Sequence, residues 1–191
     1  QTWLEHYRHG FTASAHEHVW SVTKSIVSTL VGIAIGEGKI PGVDATLAQL
    51  LPHIKIKNKD SITVHHLLNH TSGLKSPWDH PQWSFKKDYT KAELQQVIEE
   101  VPPAFDKPGK EMFYSNSGYV LLSWIIEKIT GMPYDQYFQK NIFDKLQMTA
   151  TGHLNDTLMP ERNGAQPYKI LSSKKYAAKV DGSTLLIHDS E

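Results

Sequence analysis

Hydrophobic positions from Ile26 to Ile35 fall on nearly every helical face and predict a buried, central helix over Ser21–Glu37. Gly36, Gly38 and Pro41 punctuate its end. Leu121, Leu122, Ile125, Ile126 and Ile129 recur at helical spacing and predict a second helix over Ser117–Thr130, closed by Gly131. Thr90–Val101 reads as a helix with Lys91, Glu93, Glu99 and Glu100 on its wet side. Leu47, Leu50 and Leu51 mark a short helix before Pro52. Thr63 is placed to cap a helix that carries Leu67 and Leu68 and stops near Ser72–Gly73. Pro133 opens a further helix over Tyr134–Leu146. Residues 75–89 have no clear period and read as a loop, either pinned by Trp78 and Trp83 or lining a groove with them. Residues 1–20 read as one or two short strands with a turn. Beyond Gly152 the chain is polar, with one strand-like piece, Thr184–Ile187.

The 191 residues, 39% apolar and 21% charged, fit one soluble globular domain. Residues 1–151 form its chemistry-bearing segment, and residues 152–191 form a polar tail able to add a strand to a sheet. Twenty basic and twenty acidic side chains cancel, so no strong field steers nucleic acid, and no nucleic-acid partner is expected. The alternating Lys55, Lys57 and Lys59 read as a solvated face. Absence of cysteine excludes disulfides, thiolate catalysis and cysteine-based zinc sites, and leaves the compartment open. The Ile26–Ile35 run, flanked by Lys24 and Glu37, is far short of the roughly twenty residues of a bilayer span, so no integral membrane segment is expected. No signal peptide is visible, but the chain opens at Gln1 without an initiator Met, which leaves room for a removed upstream segment.

Three stretches carry candidate chemistry. In Ser21-Val22-Thr23-Lys24, residues three apart share a helix face, so the Lys24 amine can reach the Ser21 hydroxyl. A serine is a weak nucleophile until a base takes its proton, and a neutral Lys24 can serve as that base. Partial positive charge at the helix start favours the negative charge that develops at Ser21. An N-cap serine beside a surface lysine is the plainer alternative. In Phe113-Tyr114-Ser115-Asn116, Tyr114 offers a phenol that can relay a proton, and Asn116 offers a donor and an acceptor to an amide. The plainer alternative there is a helix start capped by Ser115 or Asn116. His70-Thr71-Ser72-Gly73-Leu74 reads as a helix C-terminus with a glycine cap, with His70 bonded to backbone rather than to substrate. His16-Glu17-His18, and His66 with His70, have spacings that can share a metal, but no Glu follows His66 directly as a zinc hydrolase motif requires.

Trp20-Ser21-Val22-Thr23-Lys24-Ser25 resembles the active-site signature of class C β-lactamases and their relatives. Those relatives are the penicillin-binding-protein-like D-Ala-D-Ala carboxypeptidases, serine esterases and 6-aminohexanoate-oligomer hydrolases. Gly36-Glu37-Gly38-Lys39-Ile40 is similar to the helix exit of that family, and Leu67-Leu68-Asn69-His70-Thr71-Ser72-Gly73-Leu74 to its LLxHTSGL segment. Tyr114-Ser115-Asn116 is similar to its Tyr-x-Asn element. Leu146-Gln147-Met148-Thr149-Ala150-Thr151 is similar to its LGMxxT segment, with Gln147 in place of the usual Gly. These matches keep their order from about Leu4 to Thr151.

The resemblance implies an α/β (equally α+β) fold, a mostly antiparallel sheet covered by a helical region. It implies Ser21 as nucleophile, Lys24 and Tyr114 as the pair that takes and returns protons, and Asn116 as the residue that holds Lys24 or a substrate amide. The Ser21 N–H would be one oxyanion donor. No metal or cofactor is implied, and the partner is a small-molecule or peptide substrate. An extracytoplasmic or secreted setting goes with the resemblance, with a cytoplasmic one left open. Substrate and oligomeric state are not given by it.

One departure stands out. The third motif of the family, Lys/His-Thr/Ser-Gly on a sheet strand, is not found after Thr151. The sheet is therefore expected to be incomplete, with Thr184–Ile187 pairing with residues 1–12. Three functional readings follow: a hydrolase acting through an acyl-enzyme on a β-lactam, D-Ala peptide, ester or small amide; a non-catalytic module that binds penicillin or peptidoglycan-like ligands; and an inactive fragment whose open sheet edge drives self-association.

Overall fold

The computed structural model describes His6, residues 19–149 and 151–152, and two strands near the C-terminus. The expected strands of residues 1–20, apart from the few positions just named, and the His16-Glu17-His18 group lie outside the described residues. The chain divides into two compact units, residues 21–142 and residues 1–20 with 143–191. Every candidate site residue belongs to the first.

In that unit, helix α1 (Thr23–Gly36) follows a 3₁₀ turn over Trp20–Val22. Short helices α2 (Leu47–Leu50) and α3 (Val64–Leu68) come next, then α4 (Lys91–Glu100), α5 (Asn116–Thr130) and α6 (Tyr134–Phe138). The sequence explains most of these boundaries. Thr63 caps α3 and Thr90 caps α4, each hydroxyl accepting a backbone N–H three residues on. Glu93 reaches back to the Thr90 N–H at 2.9 Å and completes a capping box. Ser115 caps α5 by accepting from Gly118 N at 3.0 Å, and Gly131, at φ 65°, takes the left-handed turn that ends it.

The core lies where α1 and α5 meet, with α3 also packed against α5. Leu121, Leu122, Ile125 and Ile126 of α5 are buried with Leu30 and Val31 of α1 and Leu67 of α3. Ile40, Leu51, Ile54 and Ile62 close it from the connecting segments. Residues Thr46 and Thr63 form a single antiparallel bridge that ties the starts of α2 and α3 together.

Four expectations need correction. The first helix is buried along one stripe only, Val27, Leu30, Val31 and Ala34, while Gly32 is exposed. Among the described residues those four are the buried ones of α1, and Ile26, Ile33 and Ile35 are half-buried. Second, α3 ends at Leu68, and the left-handed residue just after it is His70 at φ 62°, not Gly73. Gly73 is needed for a different reason: at φ 79° a side chain there would bring its Cβ to 2.5 Å from the Phe105 carbonyl oxygen. Third, the helix from Tyr134 keeps α geometry only to Phe138 and widens into a π turn over Gln139–Phe143. Asn141 donates its side-chain amide to the Tyr137 carbonyl at 2.9 Å and so competes for the regular ladder. Fourth, Lys59 is not simply solvated, because its ammonium donates to the Pro52 and Ile54 carbonyls at 2.6 and 2.8 Å.

Residues 75–89 are a loop with one 3₁₀ turn, Pro77–Asp79. Trp83 stacks on Tyr89 with centroids 4.4 Å apart and pins the loop, while Trp78 and Phe85 stay exposed.

The second unit contains the hairpin of β1 (Tyr176–Val180) and β2 (Ser183–Ile187), antiparallel with Tyr176 opposite Ile187. The strand expected at Thr184–Ile187 is present and pairs with β1; its expected pairing with residues 1–12 lies outside the described residues, and no larger sheet is formed among those described. Among the described residues, no helix is long and apolar enough to cross a membrane.

Candidate active site

Four side chains from two distant stretches converge. Ser21 lies in the 3₁₀ turn rather than on the first α turn. Lys24, three residues on, lies in the first turn of α1, and that spacing lets its side chain reach back to Ser21. The Lys24 ammonium donates to Ser21 Oγ at 3.2 Å and to Asn116 Oδ1 at 2.6 Å. The Tyr114 hydroxyl donates to Ser21 Oγ at 2.6 Å. Lys24 Nζ also lies 4.8 Å from the centre of the Tyr114 ring and 5.5 Å from that of Tyr119. Ser21 and Tyr114 are exposed, whereas Lys24 and Asn116 are half-buried. The nucleophile candidate thus faces solvent and its polar support faces inward.

The segment that carries Tyr114 and Asn116 is held by the stretch after α3. Phe113 N donates to the His70 carbonyl at 2.9 Å, Gly109 N to the Thr71 carbonyl at 2.8 Å, and Ala104 N to the Gly73 carbonyl at 2.8 Å. Ser115 N donates to His70 Nδ1 at 3.1 Å, the backbone bond the sequence assigns to this histidine. The His70 ring packs against Tyr114 and Tyr119, with centroids 4.4 and 5.3 Å away. His70 therefore supports the back of the Tyr114 ring.

The Tyr114 phenol and the His70 imidazole both titrate away from their ordinary values. Burial pushes the Tyr114 phenol up, but its bonds with Lys24 and Ser21 and the Lys24 charge outweigh that, and the phenol sits below the usual tyrosine range. Burial, followed by the charge of Lys24, holds the His70 imidazole below 6.5. With Nδ1 accepting from Ser115, a neutral ring carries its proton on Nε2.

Among the described residues, no group of three or more His, Asp or Glu is arranged to hold a metal ion. His66 Nδ1 accepts from Thr63 N at 3.2 Å, so the proposed His66–His70 pair has both Nδ1 atoms bonded to backbone.

One residue of the cluster carries no sequence signal. Ser76, 2% exposed, accepts from Asn116 N at 3.0 Å and from Asn116 Nδ2 at 3.1 Å. It sits in the aperiodic loop, forty positions from its partner, and only the nearby Ser-Pro-x-Asp spacing marks a turn there.

A surface serine hydroxyl bonded to both a lysine and a phenol can attack an electrophilic carbon once one of those two partners has given up its proton and can take the serine's. Comparison with known proteins gives this geometry a context. The Beta-lactamase family model matches residues 2–178. Penicillin-binding protein 4* of Bacillus subtilis is 35% identical over 138 residues, covering 70% of this chain and 30% of that protein. The chain thus spans about a third of the length of the curated relatives it matches. The D-amino acid amidase of Ochrobactrum anthropi SV3, solved with L-phenylalanine amide, superimposes with a TM-score of 0.73 at 28% identity, over 91% of this chain and 47% of that one. A class C β-lactamase shares the fold at a TM-score of 0.65 and 23% identity, over 94% of this chain and 44% of that one. With its ordered motifs, its fold and a family match that runs over most of its length, the chain belongs to the Beta-lactamase family.

Proposed function

We propose that this chain carries the nucleophilic centre of a serine hydrolase that works through an acyl-enzyme. The observation that carries the reading is Ser21 Oγ, bonded at once to Lys24 Nζ at 3.2 Å and to Tyr114 OH at 2.6 Å. The pair acts in the form that has lost one proton, as ammonium with phenolate or as amine with phenol: Ser21 Oγ attacks the substrate carbonyl carbon, and its proton passes to the vacant site on Lys24 or Tyr114. The carbonyl oxygen becomes an oxyanion, with the Ser21 N–H at the uncapped start of the helix as one donor. Collapse of this intermediate breaks the bond to the leaving amine or alkoxide, which takes the proton from the same pair. Water then attacks the acyl ester, gives up a proton to the pair, and releases the acid with Ser21 restored. The lowered Tyr114 phenol supports its part in this relay, because a phenol nearer neutrality exchanges protons more readily.

Asn116 keeps Lys24 aimed at Ser21 through its 2.6 Å bond. The substrate is a β-lactam, a D-Ala-terminated peptide, an ester or a small amide. The likeness to penicillin-binding protein 4* and to the D-amino acid amidase favours an acyl donor of that class.

Intact mass after incubation with a fluorophosphonate, and separately with benzylpenicillin, tests the proposal. One adduct is expected on the parent and none on Ser21→Ala. Lys24→Met should fold normally yet label about two to four powers of ten more slowly, the usual contribution of a positioned proton acceptor. A well-folded parent that takes no adduct, or a Ser21→Ala variant that labels like the parent, would overturn it.

A further inference from the structure

An asparagine amide has an oxygen on one side and a nitrogen on the other, and its terminal torsion is soft. Its direction is therefore set by its partners. Lys24, as an ammonium, has only donors to offer, so it needs the oxygen. Asn116 Oδ1 does face it, at 2.6 Å. The opposite corner of the amide, Nδ2, meets Ser76 Oγ at 3.1 Å, and the same oxygen accepts the Asn116 backbone N–H at 3.0 Å. One buried hydroxyl thus holds both the main chain and the side chain of a single residue. Both of its lone pairs are engaged as acceptors. Ser76 is itself fixed: its backbone N–H donates to Asp79 Oδ2 at 2.9 Å, and Pro77 beside it is buried.

We propose that Ser76 is a positioning residue for Lys24, acting through Asn116: it holds the Asn116 amide with Oδ1 toward the ammonium, and Asp79 holds Ser76. The kinetic consequence rests on the acyl-enzyme reading above; the orientation of the amide does not. Nothing in this arrangement requires Ser76 to touch substrate. Loss of its hydroxyl leaves Nδ2 without that acceptor, frees the torsion, and lets the amide turn away from Lys24. The backbone N–H at the start of α5 loses its acceptor in the same step.

The test uses the full 191-residue chain with Ser76→Ala, Ser76→Thr, Asn116→Ala and the Ser76→Ala/Asn116→Ala pair. The first readout is independent of activity: the ¹⁵N–¹H signals of the Asn116 side-chain amide, identified by their disappearance in Asn116→Ala. In Ser76→Ala these signals should shift and exchange with solvent about tenfold faster, as loss of one hydrogen bond near a charge allows; Ser76→Thr should keep the parent behaviour. The second readout is the fluorophosphonate labelling rate. Ser76→Ala should slow it about tenfold, Ser76→Thr should restore it to within about threefold, and Ser76→Ala should add nothing once Asn116 is alanine. Asp79→Ala, at an exposed position, should give smaller changes in the same direction and serves if Ser76→Ala does not fold. Unchanged Asn116 signals in Ser76→Ala, or losses that multiply in the pair, would overturn the assignment. A parent that does not label at all defeats the acyl-enzyme reading alone, and the amide signals still decide the role of Ser76.

Discussion

Helices α1 and α5 supply the two halves of the site and begin in opposite ways. At α5 the first backbone donors meet side chains: Gly118 N meets Ser115 Oγ and Asn116 N meets Ser76 Oγ. At α1 the residue in the cap position is Val22, itself in right-handed helical geometry at φ −59° and ψ −29°, with no side-chain cap bond. The α5 side is also the better buried, with seven buried residues against four on α1. The difference separates two duties. The α5 start is a rigid platform that holds Tyr114 and Asn116 in place. The α1 start offers Ser21 at the surface, beside helical N–H groups that no side chain caps among the described residues, and such groups stabilise negative charge.

This contrast can be broken by substitution. Leu122→Ala, in the fully buried face of α5, should cost about 2–5 kcal/mol in urea unfolding, while Ile33→Ala, on a half-buried flank of α1, should cost about half of that or less. Equal losses would mean that the two helices are covered alike. The next effect is at the caps. Ser115→Ala should lose about 1 kcal/mol, and Val22→Ala should stay within about 0.5 kcal/mol, because Val22 is exposed and caps nothing with its side chain. A comparable loss at Val22 in denaturant titrations would refute the uncapped start.

The smallest effect concerns pH. His70 titrates below 6.5 when folded, because burial and then the Lys24 charge oppose its proton. As pH falls from about 6.5 toward that lower value, the unfolded chain binds a proton that the folded chain does not, so stability falls. The contribution is complete above 6.5 and lost below it. The melting temperature of His70→Gln should therefore decline less steeply than that of the parent over that window. Parallel curves for the two proteins would remove His70 from the account.

Much of the site could be read from the chain. Ser21 and Lys24 are three residues apart, a spacing that allows the contact without excluding an N-cap serine beside a surface lysine; the structure has the contact, at 3.2 Å. Tyr114 and Asn116 stood out by their chemistry just before a strongly periodic helix, and His70 was assigned a backbone partner that it has. Ser76 was missed, since its neighbours follow no period and its partner lies forty positions away. The Tyr134 helix was overextended because apolar spacing cannot register a side-chain amide that diverts a carbonyl, as Asn141 does at Tyr137.

The sequence by itself determined what depends on neighbours along the chain: the cap at Thr63, the stop at Gly131, the periodic face of α5, and the spacing that lets Lys24 reach Ser21. The tertiary structure decided the bonds that cross ninety or more positions, from Lys24 to Asn116 and from Tyr114 to Ser21, and with them the turning of the Asn116 amide by Ser76. It also decided which positions of α1 are buried, Val27, Leu30, Val31 and Ala34. The physical reason is one of range. Helix periodicity and capping are set within a few residues, whereas the partner of a polar group and the burial of an apolar face depend on how α1, α3 and α5 pack together.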